Sequence, residues 1–253
     1  MQKKLFLSFS LLLLSSCSYT PWQEAPLSLE QVGNIPRVVQ EMQNERCGDG
    51  FDADAIITLT TKVGNHLYQG YLAALRPGYG KFVISSPLGQ PLFIATTASQ
   101  KLTIINISAK NYSHQAIPPL LKKYDLPQNL FVTGIANILG AYISQNFTPP
   151  FSYYRDKNNR GIWVQEDNGQ ETLLINPEKK QIIARRIVDN KEQLDIEYSY
   201  GTEKCSLPKS IIISGLSYGS TLAVELKKGV KTNTFTPSIF TIQPPSFFQE
   251  IKQ

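Results

Sequence analysis

The chain has 253 residues, with 25 Lys and Arg against 20 Asp and Glu and a formal net charge of +5. Its basic residues are scattered, in short pairs such as Lys122-Lys123 and Arg185-Arg186, whereas a surface that tracks nucleic-acid phosphates needs them clustered, so nucleic acid is not expected as a partner. The length suits one all-β domain, since sandwiches and barrels commonly reach this size.

Lys3 and Lys4 precede an apolar run from Leu5 to Leu14, which ends in Leu14-Ser15-Ser16-Cys17. A positive start, a short apolar centre and small residues at its end make an export signal. The run is roughly half as long as a membrane-spanning helix, so residues 1–16 are expected to be removed, not kept as an anchor. Leu14 to Cys17 resembles the bacterial lipobox, which implies that Cys17 becomes the first mature residue and carries diacylglycerol. Residue 18 is Ser and not the Asp that retains enteric-type lipoproteins at the inner membrane, so the resemblance implies the outer membrane, periplasmic face. Removal of two lysines and no acid lowers the charge from +5 to +3. Cys47 and Cys205 then remain, and an oxidising compartment favours a disulfide between them over two free thiols. In the chain-entropy picture such a long loop is worth about 5 kcal/mol. With His66 and His114 the only histidines, no metal site and no cofactor are expected.

Residues 17–27 hold two prolines, a tryptophan and no periodicity, and are expected to tether the acylated cysteine to a single domain over residues 28–253. Ser28 with Gln31 three residues on has the spacing of a capping box. Gly33 and Pro36 place the regular helix at Pro36 to Arg46, with Val38, Val39 and Met42 on one side. From Ala53 the period becomes two, and short runs follow at 66–75, 81–85, 91–96, 101–107 and 110–115, with Gly64-Asn65, Pro77-Gly78, Pro87-Leu88-Gly89 and Ser99-Gln100 as turns. Pro118-Pro119 interrupts this meander. Leu130, Ile135, Ile138, Leu139 and Tyr142 then recur at helical intervals, predicting one or two helices. Strands resume at 161–166, 172–176, 181–188, 193–200, 209–214 and 221–231.

The fold class is therefore mainly β with a few helices: roughly eleven or twelve antiparallel strands. A twisted sheet of that size curls or splits, and curling gives an incomplete barrel with a concave face that the helices can cover. Ile57, Leu59, Leu72, Phe82, Ile84, Leu92, Ile94, Leu102 and Ile104 are the candidates to line that face, either as an open cavity or as ordinary core.

Gly215-Leu216-Ser217-Tyr218-Gly219 spells the GxSxG of a hydrolase nucleophile elbow. An elbow needs a helix after the serine and a histidine further on. Here Thr221 to Leu226 alternate like a strand and no histidine follows, so Ser217 is read as a turn residue. Glu166, Asp167, Glu171 and Asp189 could supply paired carboxylates, but they fall in or beside expected turns. No catalytic set emerges, and the expected class is a binding protein.

The lipobox, the N-terminal helix, "ISSPLGQPLFIA" at Ile84 to Ala95, "PPLLKKYDLPQNLFVTGIANILGA" and the closing "SIFTIQPP" together resemble the outer-membrane lipoprotein receptor family LolB and the wider set of LolA and LolB half-barrels. That resemblance implies a cavity that accepts the acyl chains of lipoproteins or lipids, a soluble periplasmic LolA-like carrier as donor, and a protruding loop at Pro87, Leu88 and Gly89 whose leucine helps move cargo into the membrane. A Cys47 to Cys205 bridge is not a hallmark of that family. A docking or structural module of an envelope assembly, with its interior closed, is the other reading of the same elements.

Overall fold

The computed structural model describes residues 23–44, 48–86, 88–98, 100–190, 192–202 and 207–251. The lipobox cysteine Cys17, Pro87 of the protruding loop, and both Cys47 and Cys205 lie outside the described residues.

The elements run β1 (Gln23–Pro26), α1 (Leu29–Val32), α2 (Ile35–Asn44), β2 (Gly50–Thr61), β3 (Gly64–Leu75), β4 (Tyr79–Ser85), β5 (Pro91–Ala98), β6 (Lys101–Asn106) and β7 (Asn111–Ala116). Three short helices follow, α3 (Ile117–Lys123), α4 (Asn129–Thr133) and α5 (Ile135–Leu139). The second meander is β8 (Phe151–Asp156), β9 (Ile162–Glu166), β10 (Glu171–Asn176), β11 (Gln181–Asp189), β12 (Glu192–Ser199), β13 (Ser210–Leu216) and β14 (Ser220–Thr232), and the chain ends at β15 (Gln249–Glu250).

Among the described residues, fifteen strands form one open sheet in the order β1-β8-β9-β10-β11-β12-β13-β14-β2-β3-β4-β5-β6-β7-β15. Every ladder is antiparallel except that of β15 on β7. The count exceeds the eleven or twelve expected because three strands carry no readable alternation. β1 lies in the segment expected to be a tether and pairs with β8; β8 itself has no period-two signal; β15 is two residues long. The helix expected from Pro36 begins one residue earlier, at Ile35, and α1 forms as a single turn whose Ser28 N–H donates to Gln31 Oε1 at 3.0 Å.

The two meanders are joined by β14 lying along β2, from Thr221 opposite Thr60 to Thr232 opposite Gly50. Curvature follows from α3. It starts beside β7, with Ile117 N–H on the Gln100 carbonyl, and seven residues later the Tyr124 carbonyl accepts from the hydroxyl of Ser217 at the β13–β14 turn. A helix of that length advances only about 10 Å. In a flat sheet β7 and β13, seven strand spacings apart, would be separated by about 34 Å. The sheet is therefore curled, and α3 crosses its inner face.

That inner face holds the main core. Phe51, Ala53, Ala55, Leu72, Ala74, Leu173, Ile175, Ile196, Ile211, Val224 and Leu226 on strands meet Ile35 and Val39 of α2, Ala136, Ile138 and Leu139 of α5, and Ile143 and Phe147 beyond. Alanines under the helices let them approach the sheet closely. The outer face is covered over β4 and β5 by the C-terminal segment, where Phe240 is fully buried with its ring 5.8 Å from Tyr79 and 6.0 Å from Phe235.

Candidate functional site

The strands have two distinct ends, because successive hairpins alternate. The turns β2–β3, β4–β5, β6–β7, β9–β10, β11–β12 and β13–β14 all lie at one end, here the mouth, and the remaining hairpin turns lie at the other. Along the inner face the burial falls toward the mouth. On β2, Phe51, Ala53 and Ala55 are closed to solvent while Ile57 and Leu59 are half-buried; on β14, Leu226 and Val224 are closed while Leu222 is half-buried. On β3, Leu72 is 1% exposed and Tyr68, four residues nearer the mouth on the same face, 36%. α2 and α5 cover the far end and α4 reaches the mouth over β10 and β11, where Asn129 and Thr133 bond to Val188 and Glu171, so the apolar surface left part-open at the mouth lies over β2–β6 and β14.

Register shows which expected residues share it. Ile57 pairs with Tyr68 and Val224, Leu59 with Leu222, and Leu222 with Ile213. Leu72 pairs with Phe82, Phe82 with Ala95, Ala95 with Ile104, and Thr97 with Leu102. Ile57, Leu59, Phe82, Ile84, Leu102 and Ile104 thus fall on the inner face, half-buried, and Leu72 falls there fully buried beneath the helices. Leu92 and Ile94 do not. Ile94 pairs with Val83 and Ile105, which puts it and Leu92 on the outer face. The cause is an irregularity between Ile84 and Ser85: Ile84 pairs with Phe93 and Ser85 with Pro91, so Phe93 and Ala95 take the inner positions. An alternation read through that turn gives the wrong parity. Tyr68, Phe93, Ile213 and Leu222 join the site without having been expected there. Those on β13 and β14 depend on the long-range ladder to β2, which leaves no local signal.

The β4–β5 turn at the mouth is organised by Ser86, whose hydroxyl accepts from the N–H groups of Leu88 and Gln90, both at 3.3 Å, while Gly89 N–H donates to the Ser86 carbonyl at 2.9 Å. Gly89 has φ 78°, a conformation glycine adopts readily. The result leaves Leu88 87% exposed. Ser217 lies in a turn of one residue triplet, Ser217–Gly219, between two strands, with no helix after it. Its hydroxyl is engaged by Tyr124, and Gly215 (φ 87°) sits where a Cβ would lie 2.1 Å from the Gln193 carbonyl oxygen. The two glycines of the pattern serve hairpin geometry.

Of the four candidate carboxylates, Glu166 and Glu171 belong to a buried polar cluster beneath α4. Arg185 Nε is 3.3 Å from Glu171 Oε1, Thr133 Oγ1 donates to Glu171 Oε2 at 3.2 Å, and an Arg185 Nη2–H donates to the Tyr142 carbonyl. Glu166 accepts from Thr148 N–H at 3.3 Å and its carboxyl is pushed up to about 7, chiefly by burial and next by the Glu171 charge. These groups tie the helical segment to the sheet. Asp189 instead accepts from Gln128 N–H at 3.1 Å, and Asp167 is exposed. A separate cavity of about 470 Å³ lies behind the sheet, between β5–β7 and the C-terminal segment, lined by Thr96, Thr103, His114, Phe240 and Ile242 among others. Thr96, Thr103 and His114 share the outer face by register, so it is not part of the hollow.

An open, mostly antiparallel sheet curled over helices that pack on its inner face defines the class: a half-open barrel. The chain is similar in fold to a LolA superfamily protein, NE2245, from Nitrosomonas europaea, with a TM-score of 0.52 and 13% identity over 82% of this chain and 97% of that one. It is similar also to a DUF1329 family protein from Desulfovibrio piger ATCC 29098 (TM-score 0.53, 8% identity, 81% of this chain and 95% of that one). A third likeness is to a Vibrio parahaemolyticus domain assigned to outer membrane lipoprotein sorting (TM-score 0.50, 8% identity, 81% and 94%). At these identities the likeness is one of fold. No family model matches the sequence, and no curated relative does. Among the described residues no helix is long and apolar enough to cross a membrane.

Proposed function

We propose that this chain is a periplasmic lipoprotein, anchored to the outer membrane through Cys17, that takes acyl chains of lipoproteins or lipids into the mouth of the half-barrel and passes them to the membrane without covalent chemistry. The observation that carries the reading is the fall in burial along β2, β3 and β14, which leaves Ile57, Leu59, Tyr68 and Leu222 as part-exposed apolar surface at the mouth. Each methylene buried there is worth about 0.8 kcal/mol, so ten supply useful affinity. Release needs a better apolar environment, which a bilayer provides. Leu88, exposed at the mouth, is placed to enter lipid at a gain of roughly 2 kcal/mol. The donor in this reading is a LolA-like soluble carrier.

The test is native mass spectrometry of the Cys17→Ser chain for co-purifying lipid, with titration of a fluorescent fatty acid. Bound lipid, displaced by the probe, is the expected result. A protein that is empty and takes up no probe would point to a docking module. Leu88→Glu is expected to leave uptake intact and to slow transfer to vesicles; unchanged lipoprotein localisation in a depletion strain carrying Leu88→Glu would speak against delivery.

A further inference from the structure

The mouth is ringed by exposed groups that acyl binding does not require. Val63, at the β2–β3 turn, is 92% exposed, and Tyr218, at the β13–β14 turn, 85%. These turns are neighbours, because β14 lies on β2, and the Lys62 stem lies against Gly219, 3.9 Å from where a Cβ would stand. Ser217 holds Tyr124 beside them through its hydroxyl, and Lys123 places its Nζ 5.7 Å from the centre of the exposed Tyr124 ring. One continuous arc thus presents Val63, Tyr218 and Tyr124 together with Lys62, Lys122 and Lys123, all three lysines exposed. Asp125 is the acid within it; Asp167, Asp189 and Glu192 belong to turns on the β9–β12 side of the mouth.

A lone exposed valine needs no explanation, but hairpin tips aligned at one end are not interchangeable with scattered surface residues. Tyrosine favours the level of lipid headgroups, where its ring is apolar and its hydroxyl wet. Lysines beside it gain from a negative leaflet. We infer that this arc is a membrane-docking rim, seating the mouth on a bilayer that carries anionic phospholipid, with Val63 and Tyr218 in the interface and the three lysines against the phosphates. This deepens the proposed function by naming the surface through which cargo would leave, and it rests on that reading only for its purpose.

Depth-resolved quenching tests it in the full chain, where an anchor brings the whole molecule near lipid but does not choose which end inserts. Val63→Trp reports the rim and Glu178→Trp, on the exposed β10–β11 turn at the far end, reports the control, each corrected by the unsubstituted chain for Trp22 and Trp163. On vesicles of brominated phosphatidylcholine with one-third phosphatidylglycerol, the indole introduced by Val63→Trp is expected to be quenched and blue-shifted, and that introduced by Glu178→Trp neither. In the Val63→Trp background, replacing Lys62, Lys122 and Lys123 by Gln, one at a time, should raise the lipid needed for half-maximal quenching about fivefold per lysine. An unquenched rim indole, equal quenching at both positions, or no response to the lysine changes overturns the rim. Fatty-acid uptake by the lysine variants is expected unchanged, so a chain that docks but takes up no probe condemns the cavity and spares the rim.

Discussion

Arg185 and Glu171 face each other at 3.3 Å on the inner face of the sheet, both closed to solvent, and each also reaches the helical segment, Arg185 through the Tyr142 carbonyl and Glu171 through the Thr133 hydroxyl. A buried charge stripped of its partner is costly. Arg185→Met leaves the Glu171 carboxylate alone and should lower stability by about 3–5 kcal/mol in a urea melt. The double change Arg185→Met with Glu171→Met should recover most of that. A single variant within about 1 kcal/mol of the parent, by the same melt, would mean the pair is solvated.

Glu166 sets a pH dependence of the opposite sign to an ordinary salt-bridged acid. Its carboxyl titrates near 4.5 when unfolded and is raised to about 7 by burial and the Glu171 charge. Between those values the folded chain holds the proton and the unfolded chain has lost it, so stability falls as pH rises from about 4.5 to about 7 and the loss is complete above that. Glu166→Gln keeps an acceptor for Thr148 and removes the titration. It should flatten this part of the stability curve and stabilise the protein at about pH 8 by on the order of 2–3 kcal/mol, once solvent screening of the carboxyl is allowed for. Parallel curves for parent and variant between about pH 5 and pH 8 would refute the assignment.

Twelve of the strands were legible because their alternation is local, and the helical spacing of Val38, Val39 and Met42 did locate α2. The short pieces were not. β1 and β15 owe their strand character to neighbours brought by the fold, β8 and β7 respectively, and a propensity reading has no access to a partner more than a hundred residues away. The site was half legible for the same reason. Ile57, Leu59, Phe82 and Ile84 follow from period two within their own strands, but the parity of β5 turned on the irregular pairing at Ser85, which exchanged Leu92 and Ile94 for Phe93 and Ala95. The split between hollow and core was not encoded in any single strand, since Leu72 and Tyr68 share one face of β3 and yet are 1% and 36% exposed.

Gly134, between α4 and α5, is where the helical segment turns back over the sheet. It has φ 80°, and a Cβ there would stand 2.4 Å from the Pro77 carbonyl oxygen in the β3–β4 turn. Neither atom belongs to a flexible side chain, so nothing yields cheaply. Gly134→Ala should cost more than about 2 kcal/mol, read as a lower urea midpoint, whereas Gly201→Ala, whose Cβ would meet nothing within 4 Å, should be near neutral.

The burial gradient along β2 separates stability from binding in one strand. Phe51 is fully buried under the helices, and Phe51→Ala should cost about 3–5 kcal/mol as a large cavity opens. Ile57, six residues on and facing the same way, is half-buried nearer the mouth. Ile57→Ser should cost about 1 kcal/mol of stability, because little packed contact is lost. If acyl chains occupy the hollow, it should also weaken fatty-acid binding by about tenfold, the equivalent of nearly two methylene contacts. Phe51→Ala should leave affinity within about twofold wherever the protein is still folded, measured by probe titration below its thermal transition. Should Ile57→Ser prove as destabilising as Phe51→Ala and leave the titration untouched, Ile57 is core, and the hollow at the mouth is filled in solution by the chain itself.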